Sequence, residues 1–193
     1  MKTKIMKFSI FSLLLSFFIT TDIFSESNTL EVGAKVPDFK AKSDELKTWK
    51  SKDYIGKKNL IVYFYPAAFT GGCTKQACSY RDDLEEIENK DAIVVGVSGD
   101  KPENLKLFKE HYNLNFTLLS DETGEIARIF GVPVKEGKTI SKEVDGKELS
   151  LTRGATISRW TFIIDKEGKV IHKSTQVNAA NDSKAVIKVL SGM

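Results

Sequence analysis

At 193 residues, with 41% hydrophobic and 28% charged, the chain carries apolar material for one domain core and lacks the length for several. Its net charge of +3 arises from lysines scattered among acidic residues, as in Lys40-Ala41-Lys42-Ser43-Asp44-Glu45, a solvated surface. No basic stripe interleaved with aromatics is present, which argues against a nucleic-acid partner.

Lys2, Lys4 and Lys7 precede an apolar run over residues 8–19. That run is shorter than the ~20 residues that span a bilayer and suits the core of a secretory signal. Ser25-Glu26-Ser27 places small residues for cleavage, so residues 1–27 are expected to be a cleaved signal peptide and 28–193 a single domain. No arginine in the segment speaks against a transit peptide, and no cysteine after it excludes a lipoprotein anchor. The expected location is outside the cytosol: the periplasm for a bacterial protein, or a membrane anchor if the signal stays uncleaved.

Residues 28–58 read as an entry segment with one helical turn at residues 51–56. Residues 59–65, Asn-Leu-Ile-Val-Tyr-Phe-Tyr, form a buried strand, followed by a turn and a helix starting near Cys73. On that helix Cys73, Ala77, Tyr80, Leu84 and Ile87 follow the 4-3-4-3 spacing of one buried stripe. Residues 92–98 are a second buried strand. Pro102 opens a helix with Asp100 near its cap and Leu105, Phe108 and Tyr112 on one face. A short strand at 116–119 and a short helix at 123–130, ended by Gly131, come next. The polar stretch 134–156 is expected to be an exposed loop, at most with a small hairpin turning at Asp145-Gly146. Residues 160–164 and 170–174 flank Lys166-Glu167-Gly168 and read as a hairpin, and 182–190 as a final helix. Strands alternating with helices before a late hairpin describe an α/β fold with a mixed central sheet flanked by helices.

The chain's two cysteines, Cys73 and Cys78, lie on the helix that follows the first buried strand. A cysteine at a helix start meets unpaired backbone N–H groups and the positive end of the helix dipole, which favour thiolate. Cys78 sits ~140° around the helix and shares its face with Arg81, Asp82 and Glu85. Cys73 is therefore expected at the base of a pocket and Cys78 nearer solvent. In an intact helix the two Cα atoms are ~8.6 Å apart, beyond the about 7 Å that a disulfide tolerates. Joining them requires the first turns to unwind. The pair argues for thiol redox chemistry, against which stand two narrower readings: a thioredoxin-type thiol–disulfide oxidoreductase, and a secreted binding domain with a structural disulfide. Oxidoreductases of thioredoxin type favour two residues between the cysteines, and four stand here. A staple across four residues restricts the unfolded chain little. His111 and His172 lack metal-ligand spacing to a cysteine, and no phosphate-binding glycine loop or haem-attachment pattern occurs, so no cofactor is expected.

Pro66, Thr70 and Cys73 stand in a Pro-x-x-x-Thr-x-x-Cys pattern that resembles the active-site signature of the peroxiredoxins. Gly72-Cys73-Thr74-Lys75-Gln76-Ala77-Cys78 resembles the Q-type subgroup, also called bacterioferritin comigratory protein. Arg159-Trp160-Thr161-Phe162-Ile163-Ile164-Asp165 resembles the strand carrying that family's active-site arginine, and the likeness runs from about Val32 to the C-terminus. The resemblance implies a thioredoxin-like fold and reduction of hydrogen peroxide and organic hydroperoxides. It gives Cys73 the attacking sulfur, Cys78 the resolving sulfur, Arg159 and Thr70 contact with the peroxide, and Pro66 the shielding of the sulfur from water. A thioredoxin-like or other dithiol protein as reductant, a monomeric state and no metal or cofactor are implied with it. Gln76 matches the subgroup without an assigned role.

Overall fold

The protein is described here from a computed structural model that covers residues 29–193 except Asp145. The expected signal peptide and half of the expected 145–146 turn lie outside the described residues. β1 (Lys40–Ser43) and β2 (Thr48–Lys50) form an N-terminal antiparallel pair, followed by a 3-10 turn at Ser51–Asp53. Next come β3 (Asn59–Phe64), α1 (Gly71–Asp82), α2 (Leu84–Glu88), β4 (Ala92–Ser98), α3 (Pro102–Tyr112) and β5 (Thr117–Ser120). The chain closes with α4 (Glu125–Ile129), β6 (Val134–Val144), β7 (Lys147–Ile157), β8 (Thr161–Ile164), β9 (Val170–Ser174) and α5 (Asp182–Leu190).

Seven strands make one mixed sheet in the order β2-β1-β5-β4-β3-β8-β9. β3, β4 and β5 run parallel, and β8 lies antiparallel to β3. β3 is buried along its whole length, and its alternation divides the core in two. Ile61, Tyr63 and Tyr65 face α1, α2, α3 and α5 through Ala77, Tyr80, Ile87, Phe108 and Val186. Leu60, Val62 and Phe64 face the other layer, with Phe39, Trp49 and α4's Ile126. A residue such as Ile61, fully buried on this strand, is worth about 2–5 kcal/mol when truncated to alanine.

Three features differ from the expectations. The helix after Cys73 is two helices, broken at Asp83, though the buried stripe through Leu84 and Ile87 continues across the break. Asp100 does not cap α3, whose start has no side-chain cap; its carboxylate turns toward the loop before α1. The 134–156 stretch is a long antiparallel hairpin of two eleven-residue strands, β6 and β7, with Val144 paired to Lys147 and Gly146 at φ 73°. Its base docks where Gly99 presents bare backbone: a Cβ there would lie 2.0 Å from the Ala155 carbonyl oxygen.

Candidate active site

The sheet topology explains how residues 86 positions apart meet. β3 ends at Phe64, and its antiparallel neighbour β8 begins at Thr161, paired with Tyr63. Arg159, two residues before Thr161, therefore lies beyond the end of β3, beside the start of α1. The Phe64 N–H donates to the Trp160 carbonyl at 2.7 Å and fixes that register.

The loop from Tyr65 to Thr70 is held by side chains from elsewhere. The Ala68 N–H donates to Asp100 Oδ2 at 2.8 Å, and Ser98 Oγ donates to the same oxygen at 2.8 Å. Burial pushes the Asp100 carboxyl up from its usual range, with those two donors and Arg153 acting against it. Phe69 adopts the left-handed region at φ 60°, a conformation that costs a non-glycine residue roughly 1 kcal/mol. Its carbonyl accepts from Lys142 Nζ on β6, so the hairpin touches the loop directly.

Thr70 occupies the N-cap of α1 with an extended backbone, but its side chain makes no cap bond. Its hydroxyl donates to the Ala67 carbonyl at 2.8 Å. That commits the only hydrogen, so toward a ligand Thr70 offers lone pairs: it accepts and does not donate. Pro66 is half-buried between β3 and this loop.

Cys73 is the third residue of α1 and 2% exposed. Arg159 Nη2 donates to its Sγ at 3.1 Å. A Cβ on Gly72 would sit 3.4 Å from Arg159 Nη2, so the bare glycine leaves the guanidinium open on that side. Arg159 Nη1 donates to Gln76 Oε1, and Gln76 Nε2 donates to Asp182 Oδ2 at 2.7 Å. The same Asp182 oxygen accepts from Tyr80 Oη and Thr161 Oγ1, each at 2.7 Å. Burial, then the charge of Asp182, pushes the Tyr80 hydroxyl well above its usual range, which keeps it a donor. Burial and then the neighbouring Cys73 sulfur do the same to Tyr63, which stacks on Tyr80 at 4.8 Å.

The structure thus gathers Cys73, Arg159 and Thr70 at one helix start, with Pro66 in the loop before it. It keeps Cys78 apart. Cys78 is a free thiol, half-buried, inside the same unbroken helix as the free Cys73. Arg81 lies beside it; Arg81 is held charged by Asp82 first and by the Cys78 sulfur next, and donates to the Tyr112 carbonyl at 2.7 Å. Asp100, Lys142 and Asp182 were not expected at the site. An aspartate opening a helix reads in sequence as a partner for the helix dipole, and nothing local reveals contacts 102 and 106 residues away.

The profile of the AhpC/TSA family matches residues 32–173. The chain is 39% identical over 165 residues to peroxiredoxin Bcp of Bacillus subtilis, a match covering 86% of this chain and 98% of that protein. Among solved structures, the peroxidoxin BcpB of Mycobacterium tuberculosis superposes with a TM-score of 0.71 at 28% identity, covering 85% of this chain and 98% of that one. A bacterioferritin comigratory protein of Xanthomonas campestris, described for its alkyl peroxide reduction activity, superposes with a TM-score of 0.67 at 26% identity, covering 84% of this chain and 96% of its own. The mixed sheet, the cysteine at the helix start and these likenesses agree: the chain belongs to the AhpC/TSA family and is a thiol-dependent peroxidase of thioredoxin-like fold.

Proposed function

We propose that Cys73 is the attacking sulfur, that Cys78 resolves it within the same subunit, and that Arg159 and Thr70 orient the peroxide. The carrying observation is the 3.1 Å contact of Arg159 Nη2 with a buried sulfur at a helix start. A permanently charged donor and the free N–H groups of the first turn favour negative charge on Cys73 and on the departing oxygen alike. The thiolate attacks one peroxide oxygen, the O–O bond breaks, and sulfur is oxidised by two electrons to sulfenic acid. The other oxygen leaves as hydroxide or alkoxide and takes a proton to become water or an alcohol. Thr70, its hydrogen already given to Ala67, accepts a hydrogen bond from the peroxide O–H. Cys78 then attacks the Cys73 sulfur, a disulfide forms and water leaves. A thioredoxin-like dithiol protein reduces that disulfide and becomes oxidised in turn.

Organic hydroperoxides enter the substrate range on the likeness to the Xanthomonas protein. A monomer suffices, since both cysteines belong to one chain. Residues 1–27 direct export, a reading supported by the basic and apolar N-terminal pattern and by a family match that begins at residue 32. The mass of the mature protein from a periplasmic fraction checks it; an intact N-terminus in the cytosol rejects it.

The decisive experiment for the site replaces Cys73 with serine. Cys73→Ser is expected to fold and to lose peroxide reduction altogether in stopped-flow mixing with hydrogen peroxide. Substantial turnover in that variant would remove Cys73 as the nucleophile.

A further inference from the structure

Asp182 is 4% exposed and pairs with no lysine or arginine among the described residues. Instead one of its oxygens collects three donors from two elements, Gln76 and Tyr80 of α1 and Thr161 of β8. A carboxylate accepts and never donates, so the end of the Gln76 amide that faces Asp182 must be the NH₂ group. The carbonyl end is thereby forced toward Arg159, which only donates. With the opposite orientation the amide NH₂ would point its hydrogens at the guanidinium and lose both bonds. Gln76 is fully buried, so no water compensates.

We infer that Asp182 is a positioning residue for peroxide reduction: through Gln76 it sets the guanidinium of Arg159 against the Cys73 sulfur. This rests on the roles given above to Cys73 and Arg159. Asp182 touches neither peroxide nor sulfur. It polarises the amide, and the amide carbonyl holds Nη1 so that Nη2 is directed at Sγ. Thr161 ties the same carboxylate to the start of β8, two residues after Arg159, so both ends of the link share one anchor.

The test uses the reduced full-length protein and reads the second-order rate of its first oxidation by hydrogen peroxide. Asp182→Leu, which removes the acceptor of all three donors, is expected to slow it roughly tenfold, the order of one hydrogen bond to a charged group. Asp182→Asn keeps a carbonyl oxygen able to accept from Gln76, Tyr80 and Thr161 alike and is expected to recover to within about threefold of the unmodified protein. Gln76→Leu, which removes the link itself, is expected to slow it as much as Asp182→Leu. Ser183→Ala is the control for mere docking of α5, because Ser183 donates to Asp83 at 2.7 Å and has no contact with the link. It should lower the melting temperature and leave the peroxide rate alone.

An unchanged rate in Asp182→Leu overturns the inference. So does a rate in Asp182→Asn no higher than in Asp182→Leu, and so does an unchanged rate in Gln76→Leu, a measurement that stands even if Asp182→Leu does not fold. Equal slowing by Ser183→Ala would reassign the effect to helix packing and overturn it as well. Activity in Cys73→Ser would instead reject the underlying site, which keeps the two failures distinct.

Discussion

Arg159 is held from behind by Gln76 and faces a sulfur in front, an arrangement that fixes the direction of a charge rather than its mere presence. Replacing it with methionine keeps the length and removes both donors. Arg159→Met is expected to slow the first oxidation by roughly a hundredfold, the range found when one donor to a developing oxyanion is lost. An unchanged rate would show that the helix start alone suffices. Cys78 carries a different expectation, since the role proposed for it comes after the peroxide has gone. In Cys78→Ser the first oxidation should proceed at full rate and a sulfenic acid on Cys73 should be trapped by dimedone, with recycling by a dithiol protein lost. Undiminished steady-state turnover would deny Cys78 an essential role. At this scale the sequence is informative where chemistry is local: Pro66, Thr70, Cys73 and Cys78 lie within one turn-and-helix pattern. It is silent on Asp182 and Asp100, because an aspartate's partners across the fold leave no trace in its neighbours.

Of the secondary elements, α1 carries the most consequence. It runs unbroken from Gly71 to Asp82 with both cysteines inside, so the disulfide cannot form while its first turns are intact. Oxidation is expected to remove hydrogen-exchange protection from amides 73–80 while β3 keeps its own. Equal protection of that helix in both states, with the disulfide confirmed by mass, would contradict this. Helix ends open most easily, which makes the step accessible. The strands and helices with buried stripes were legible beforehand, because 3.6- and 2-residue periods appear in their apolar residues. β6 and β7 were not. Lysine, glutamate, serine and threonine occupy most of their positions; Val134, Ala155 and Ile157 join the core at the hairpin's base, and beyond it only Ile140, Val144, Leu149 and Leu151 reach a core cluster. A hairpin solvated on most of its surface shows too weak an alternation to be told from a loop.

Across the whole molecule, stability should respond to pH through His172 on β9. Burial lowers its proton affinity, with the charge of Asp182 acting the other way. The unfolded chain then binds a proton, near its ordinary value of about 6.5, that the fold resists. Stability is therefore complete above that value and declines as pH falls through the lower folded value. Chemical denaturation between pH 8 and pH 5 should show the decline, and His172→Gln should flatten it. A slope identical in the two proteins would place the titration elsewhere. Asp100 and Asp121 act with the opposite sign: burial raises both, so their protonation favours the fold and their ionisation weakens it as pH rises through the folded value.

A helix that holds its two cysteines apart also acts on electron affinity. Whatever free energy the folded first turns of α1 contribute to the dithiol form is absent from the proposed Cys73–Cys78 disulfide form, and it would appear in full in the reduction potential of that couple. For a two-electron couple, about 1.4 kcal/mol of such refolding raises the potential by roughly 30 mV. Packing of Cys73, Ala77 and Tyr80 into the core therefore makes the oxidised protein a readier acceptor of electrons, and each replacement that loosens that stripe should render its disulfide harder to reduce.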